Sequence, residues 1–289
     1  MNKIISVLKL TRIEHSAMLV VAVLVAEIVA KALPSLQILL LSVVTPILIS
    51  MAAFAINDYF DVEADRINKR FDRPIVSGEI SKSGALAVAS ISFAVGVLAS
   101  LFINAAAFSI ALIFAALAFL YSYRLKDTLL LGNAYIAFSM AIPFIYGDFV
   151  VSKMLNPNIA IISTIIFFSG LAREIHGMVR DYKGDSAARH SKNLLAYIGR
   201  TSASALSLLL YAIAVALSIF MFFYLRPFAY NLIYLLPILV VDALLLYVSI
   251  LYFKASSVKF FRLSRNVSLG AMALALLAYA AAALVYVPV

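Results

Sequence analysis

The sequence predicts an all-α, polytopic membrane protein with nine transmembrane helices. Of the 289 residues, 65% are hydrophobic, and the mean hydropathy is +1.05. A soluble domain of this size could not bury so much apolar surface. The apolar runs have the length that a bilayer-spanning helix requires, and charged or Pro/Asn-rich segments separate them. They lack the alternating pattern of a membrane β-barrel, so helices are the expected structure.

Each predicted helix ends where charged or turn-forming residues interrupt an apolar run. Because about 20 residues cross the hydrocarbon core, the spans fall at 14–32, 36–57, 84–103, 105–123, 129–150, 157–176, 201–224, 231–253 and 267–287. We predict one membrane domain over residues 1–289. Acidic motifs at 57–65 and 181–185 follow the second and sixth spans, which indicates two pseudo-repeated helix groups.

The positive charges are segregated between the two sides of the predicted bundle. Of 23 Lys and Arg residues, all but Lys31, Lys153 and Arg226 lie in the N-terminal tail or in the loops on its side. Since cytoplasmic loops carry the excess of Lys and Arg, we expect a multi-pass cell-membrane protein with its N-terminus in the cytoplasm and its C-terminus outside. Anionic membrane lipids facing this rim explain the net charge of +9 without nucleic acid.

The first acidic cluster lies at the cytoplasmic end of the second span. Carboxylates are costly near lipid, so they are candidates for function. Asn57, Asp61 and Asp65 follow an i, i+4, i+8 spacing, and Asp58 is close to the same face. The four side chains therefore share one side of a helix if the helix continues through the motif.

The second cluster, Asp181 and Asp185, repeats the i, i+4 spacing at the end of the sixth span. Carboxylate oxygens one turn apart, with an amide oxygen from Asn57, suit a hard divalent cation. Nearby cations suit phosphate oxygens: Arg66, Arg70, Arg73, Lys126, Arg180 and Lys183. Acid, metal and Arg/Lys together hold polyphosphates, and an apolar bundle beside them suits a substrate with a diphosphate head and a hydrocarbon tail. Polyisoprenyl diphosphates are such molecules.

Other polar residues allow two interpretations. The segment 12–15 is either an interfacial anchor or part of the acceptor entrance, and Arg173 with Glu174 either forms a structural pair or belongs to the site. The sequence has no Cys, which excludes disulfides and thiolate metal sites. Asp242, near the middle of the eighth span, is expected to accept a buried hydrogen bond.

The paired motifs resemble those of the UbiA superfamily of intramembrane prenyltransferases. The resemblance covers nearly the whole chain. It rests on N-D-x-x-D-x-x-x-D at 57–65, R-P-I-V-S-G at 73–78, D-x-x-x-D at 181–185, and Y-S-Y-R-L-K at 121–126, which is similar to that family's short Tyr/Lys loop after helix four.

The resemblance implies helices arranged around a central cavity and two Mg²⁺ ions. One ion would be held by Asn57, Asp61 and Asp65 with Asp58 nearby, and the other by Asp181 and Asp185. It further implies catalytic roles for Asp61, Asp65, Asp181, Asp185 and Lys126. Substrate-binding roles would fall on Asn57, Asp58, Arg66, Arg70, Arg73, Tyr121, Tyr123, Arg180 and Lys183.

The implied reaction is transfer of a polyprenyl group from an allylic polyprenyl diphosphate to a lipid-like acceptor, with release of diphosphate. The segment 73–81 looks most like an archaeal branch of the family whose acceptor is geranylgeranylglyceryl phosphate. An alternative within the family is prenylation of an aromatic quinone or haem precursor. An alternative of another class is a secondary transporter, which would place its charged groups near the membrane midplane.

Overall fold

Helices account for all the regular secondary structure of the described residues. The computed structural model describes residues 3–30, 34–128, 130–188, 194–254 and 257–285, and the side chains of 181–188, 196 and 258 lie outside this description. The helices are α1 (Lys3–Thr11), α2 (Ser16–Val29), α3 (Leu36–Ile67), α4 (Lys82–Leu101), α5 (Ala105–Tyr123), α6 (Leu131–Val151), α7 (Pro157–Ala188), α8 (Leu194–Tyr224), α9 (Leu232–Leu251) and α10 (Val258–Val285). Short 3₁₀ turns occur at Ile13–His15 and Leu125–Asp127. The predicted all-α class is confirmed for this part of the chain.

Polar residues at the breaks in the apolar pattern fix where helices begin. The Ser81 hydroxyl accepts a hydrogen bond from the backbone N–H of Gly84 at 3.0 Å, at the start of α4. The Asn104 side-chain oxygen Oδ1 accepts a hydrogen bond from the backbone N–H of Ala107 at 2.8 Å, at the start of α5. Both bonds satisfy donors that the first helical turn leaves unpaired.

The lengths of the helices support a multi-pass membrane protein. Within the described residues, α3 to α10 each contain a segment long and apolar enough to cross a bilayer, which makes eight candidate spans. Helix α2 has 14 residues, fewer than the ~20 that crossing requires. The predicted first span at 14–32 also includes residues 31–32, which lie outside the description. The ninth span therefore stays a prediction.

Several helices extend beyond the predicted spans on the loop side that carries the acidic motifs. Helix α3 continues to Ile67 instead of ending at residue 57, and α7 continues to Ala188 instead of ending at residue 176. Helix α10 begins at Val258 instead of residue 267. Hydropathy marks the edge of the lipid, but a helix can continue past this edge because its hydrogen bonds are internal. The first acidic motif consequently lies on α3.

The long helices form a ring. From α2 to α10, each helix packs against the next in the chain, and α10 packs against α2. Helix α2 also crosses α6, where a Cβ atom on Gly147 would lie 2.7 Å from the carbonyl oxygen of Val23. Only glycine permits so close an approach of two backbones at this point. Ala22 and Tyr146, next to the crossing, line the cavity that the ring encloses.

The enclosed cavity has a volume of about 830 Å³ and mostly apolar walls. Its lining residues include Arg265 and Tyr279 on α10, which lie about 21 Å apart along the helix axis at 1.5 Å per residue. Most of the charged lining residues (Arg12, His15, Arg173, Glu174 and Arg265) belong to one end, whereas mainly aromatic and aliphatic side chains, with Asp242 among them, line the remainder. The cavity is therefore deep, with a charged end and an apolar end.

Candidate active site

Asp58 is the most enclosed carboxylate of the first motif. Its side chain is 1% exposed, and its Oδ1 accepts hydrogen bonds from Arg12 Nη2 at 2.5 Å and Arg73 Nη1 at 3.3 Å. Arg12 adopts the left-handed backbone conformation between α1 and α2, and its guanidinium also lies 4.7 Å from the ring centroid of Phe54. Asp58 thus ties the N-terminal segment and the loop after α3 to one point of the site.

Asp61 and Asp65 lie one helical turn apart on α3, and each faces a cation. Lys126 Nζ donates a hydrogen bond to Asp61 Oδ1 at 2.5 Å, and Arg73 Nε lies 3.9 Å from Asp65 Oδ2. Asn57, one turn earlier on the helix, lines the cavity. The structure therefore brings the first motif together with two of its predicted cations.

The loop from residue 68 to 80 holds Arg73 over the motif. The Arg73 carbonyl accepts a hydrogen bond from the Ser77 N–H at 2.9 Å. Ile75 is buried in a core cluster with Leu10 of α1 and Val62 of α3. This apolar contact anchors the loop on both helices, so the position of Arg73 is set by packing as well as by its ion pairs.

Two other predicted cations, Arg66 in the last turn of α3 and Arg70 in the loop, form local pairs instead. Arg66 Nη1 lies 3.1 Å from Glu63 Oε1, and both side chains are exposed. Arg70 donates two hydrogen bonds to the Asp72 carboxylate, at 3.1 and 3.2 Å. These hydrogen bonds from Arg70 hold the pKa of Asp72 below its usual value. Among the described residues, neither arginine is hydrogen-bonded to Asp58, Asp61 or Asp65.

The two predicted tyrosines occupy different environments. Tyr121 lines the cavity and stacks on Tyr135, with ring centroids 4.6 Å apart. Tyr123 is 58% exposed and packs beside Phe60 and Phe119. Of the two, only Tyr121 is placed to touch a molecule inside the cavity.

The second motif lies on the last turns of α7. Asp181, Lys183 and Asp185 are in the helical backbone, but their side chains fall outside the description, and Arg180 is exposed. Two turns before Asp181, Arg173 and Glu174 line the same cavity as Asn57. Helices α3 and α7 therefore contribute to one cavity, as a site built from two halves requires.

The structure adds residues that the motifs do not include. His15 and Arg265 line the charged end of the cavity, together with Arg12. Deeper in the cavity, Asp242 accepts a hydrogen bond from Ser218 Oγ at 2.6 Å, so the expected buried hydrogen bond is confirmed. In the sequence, Arg12 and His15 belong to a charged segment at the start of the first predicted span, Arg265 is one charge before the ninth span, and Asp242 is one charge within the eighth. Such charges also occur where they only set membrane topology or pack inside the bundle, so they did not by themselves indicate a site.

The described residues alone do not form a complete metal site. No group of three or more His, Cys, Asp or Glu side chains close enough to hold an ion occurs among them. Asn57, Asp61 and Asp65 supply oxygen atoms of the type that Mg²⁺ prefers. The side chains of Asp181 and Asp185, which would complete the set, lie outside the description. The chemistry of the donors present fits a hard divalent ion.

Comparison with known proteins identifies the family. Residues 18–262 match the model of the UbiA prenyltransferase family. A digeranylgeranylglyceryl phosphate synthase from Archaeoglobus fulgidus is 36% identical over 275 residues, which cover 95% of this chain and 94% of the relative. The chain belongs to the UbiA prenyltransferase family. It is accordingly an intramembrane prenyltransferase.

Solved structures have the same fold. One, described as "Structural and mechanistic insights into the biosynthesis of Digeranylgeranylglyceryl phosphate synthase in membranes", has a TM-score of 0.82 at 26% identity and covers 98% of this chain and 99% of its own. Another, a UbiA homologue from Archaeoglobus fulgidus bound to GPP and Mg²⁺, has a TM-score of 0.65 at 21% identity and covers 95% and 99%.

Proposed function

We propose that this chain transfers a polyprenyl group from an allylic polyprenyl diphosphate to geranylgeranylglyceryl phosphate and releases diphosphate. The observation that carries the proposal is a deep cavity with charged groups concentrated at one end and mostly apolar walls along the rest. Such a cavity matches donors and acceptors that have an anionic head and a hydrocarbon tail. The name of the relative that is 36% identical supports this acceptor.

The proposed reaction exchanges one carbon–oxygen bond for another. The bond between C1 of the prenyl group and the diphosphate oxygen breaks, and C1 bonds to the acceptor hydroxyl oxygen. The hydroxyl proton leaves with the released diphosphate or to water. Lys126 and Arg73 lie where they can bind the departing diphosphate. Apolar walls exclude water from the reacting carbon and so favour the acceptor over hydrolysis.

The proposed cofactor is Mg²⁺, with Asn57, Asp61 and Asp65 holding one ion and Asp181 and Asp185 the other. When bound, Mg²⁺ supplies positive charge at the diphosphate oxygens. A solved UbiA homologue of the same fold is bound to GPP and Mg²⁺, which supports this assignment. Because Oδ1 of Asp58 accepts hydrogen bonds from Arg12 and Arg73, we assign Asp58 to positioning these two arginines.

The proposed topology has nine spans, a cytoplasmic N-terminus and a cytoplasmic active site. The eight candidate spans of α3 to α10 and the packing of α2 into the ring support it. The asymmetric distribution of Lys and Arg supports the orientation. The cations that face the first motif, Arg12, Arg73 and Lys126, lie at the same end of the bundle, which this topology places inside the cell.

The test is a transfer assay with the purified protein, geranylgeranyl diphosphate, Mg²⁺ and a panel of acceptors, with products identified by mass spectrometry. We expect an ether-linked product from geranylgeranylglyceryl phosphate and none from aromatic quinone or haem precursors. Product formation from an aromatic acceptor alone would assign the chain to a different branch of the family. Flux of a solute into liposomes without prenyl transfer would instead indicate a transporter.

A further inference from the structure

Arg173 has an incompletely paired guanidinium at the charged end of the cavity. Its side chain is 19% exposed and lines the cavity. Its Nη1 lies 4.0 Å from Glu174 Oε1, which exceeds hydrogen-bonding distance, and its buried Nε has no hydrogen-bond partner among the described residues. A guanidinium withdrawn from water is costly unless an anion pairs with it closely. The position therefore suits the anionic group of a ligand.

Arg265 contributes a second guanidinium to the same cavity from α10. Helices α7 and α10 pack together, and Ala172, the neighbour of Arg173, shares a core cluster with Ala271 of α10. Arg262, one turn before Arg265, is exposed like Arg265 but is not among the residues that line the cavity. The α7 and α10 walls thus present Arg173 and Arg265 to one space.

These two arginines differ from the cations that face the first acidic motif. Arg73 and Lys126 are paired with carboxylates of α3, and we assign them to the diphosphate. Arg173 on α7 and Arg265 on α10 line the cavity, and among the described residues neither forms an ion pair with the α3 carboxylates. The structure therefore has two groups of cations: Arg73 and Lys126 beside the α3 motif, and Arg173 and Arg265 among the residues that line the cavity. The donor diphosphate, as proposed above, occupies the first group.

We propose that Arg173 and Arg265 bind the phosphate of the acceptor, so that the chain selects phosphorylated over phosphate-free alcohols. This inference rests on the proposed function and names the residues that recognise its second substrate. A guanidinium binds phosphate oxygens through two parallel N–H bonds and so fixes orientation as well as position. Held in this way, the acceptor would present its hydroxyl to the donor carbon between the two cation groups, while its tail lies along the apolar wall.

The experiment compares geranylgeranylglyceryl phosphate with geranylgeranylglycerol, which lacks the phosphate, as acceptors for the full chain with geranylgeranyl diphosphate and Mg²⁺. We expect Arg173→Gln and Arg265→Gln to raise KM for the phosphorylated acceptor by about ten- to a hundredfold, the effect of losing a charge-assisted bond. The donor KM and the rate with geranylgeranylglycerol should change by less than about threefold. Arg262→Gln is the matched control and should behave like the wild type.

Each outcome separates this inference from the proposed function. If Arg173→Gln and Arg265→Gln keep the wild-type preference for the phosphorylated acceptor, or lose both acceptors equally, the inference fails while the proposed function stands. If the wild-type chain transfers to neither alcohol, both fail. Should Arg173→Gln not be obtained as folded protein, Arg173→Lys serves instead, because it keeps the charge and removes the two-bond geometry. Its KM for the phosphorylated acceptor should also rise.

Discussion

At the scale of single residues, the carboxylates of the α3 motif have different partners and should respond differently to substitution. The Asp58 side chain is enclosed and pairs with both Arg12 and Arg73. The side chains of Asp61 and Asp65 are partly exposed to solvent; Asp61 pairs with Lys126, and Asp65 pairs with Arg73. Removing an enclosed partner of two arginines would disturb the packing of the N-terminal segment. Removing a partly exposed carboxylate instead affects ligand binding, so Asp61 is the better probe of catalysis.

We expect Asp61→Ala and Asp185→Ala each to lower prenyl transfer by at least about 100-fold, since each would remove a ligand from a different metal ion. Asp72→Ala is the control, because Asp72 is exposed and pairs with Arg70 outside the motif. The measurement is the initial rate of product formation with protein purified to equal folded amounts. Near wild-type activity of either Asp variant would show that its motif does not take part in catalysis.

The loop after α3 contains two arginines, Arg70 and Arg73, whose different partners predict different effects of substitution on donor binding. Arg73→Ala should raise the donor KM by about tenfold or more, because it removes a cation in contact with Asp58 and Asp65. Arg70→Ala should change it by less than about threefold, because the partner of Arg70 is the exposed Asp72. Equal effects of the two substitutions on the donor KM would contradict this assignment.

At the scale of elements, the sequence predicted which segments are helical. It predicted less well where the helices end and which side chains near those ends pair with one another. The i, i+4, i+8 pattern predicted a shared face for Asn57, Asp61 and Asp65, and the continuation of α3 to Ile67 places the motif on a helix. Hydropathy could not predict this extension, because it indicates which residues lie in the lipid and not where the helix itself ends. Likewise, the sequence did not indicate that Arg70 pairs with Asp72, because that choice depends on how the loop folds.

Tertiary contacts between distant segments were also beyond sequence reasoning. Arg12 is 46 residues from Asp58 in the chain, and its interaction depends on the left-handed conformation that directs it from α1 toward α3. Arg265 was counted only among the charges that set topology, and the packing of α10 into the ring brings it to the cavity. By contrast, the motif at 121–126 predicted Lys126 as a site residue. Lys126 lies in the 3₁₀ turn before α6 and donates a hydrogen bond to Asp61.

The turn that carries Lys126 packs closely on the start of α6. A Cβ atom on Gly132 would lie 3.0 Å from the Leu125 carbonyl oxygen and 3.1 Å from Lys126 Cα. Gly132→Ala should therefore displace the turn and weaken donor binding, raising the donor KM by about three- to tenfold. Gly270→Ala on α10 is the control, since a Cβ atom there would meet nothing within 4 Å. An unchanged donor KM for Gly132→Ala would show that the turn adjusts without moving Lys126.

At the scale of the whole molecule, the two helices that carry the acidic motifs line one cavity, α3 through Asn57 and α7 through Arg173 and Glu174. We expect EDTA to abolish turnover and added Mg²⁺ to restore it, because the carboxylates need a bridging cation to bind diphosphate. The measurement is the rate of product formation in purified, detergent-solubilised protein. A control with EDTA already saturated by Mg²⁺ should retain activity. Full activity in free EDTA would contradict the role assigned to the two motifs.

The absence of Cys from the sequence permits a direct test of topology. We expect Ser83→Cys, at the start of α4, to react with a membrane-impermeant thiol reagent only after the cells are permeabilised. Met154→Cys, in the 81% exposed position between α6 and α7, should react in intact cells. The unsubstituted chain provides the unlabelled control. The reverse labelling pattern would place the acidic motifs on the outer face of the membrane.

The ion pairs of Asp58, Asp61 and Asp65 with Arg12, Arg73 and Lys126 have a consequence for biogenesis. The chain supplies its own counter-ions for these three carboxylates, so α3 can settle in the bilayer before any metal arrives. Insertion would then not require the metal, and Asp61 and Asp65, the proposed ligands, would exchange their Lys126 and Arg73 partners for the ion when it binds. A cell deprived of magnesium would therefore accumulate folded, idle enzyme, available as soon as the ion returns.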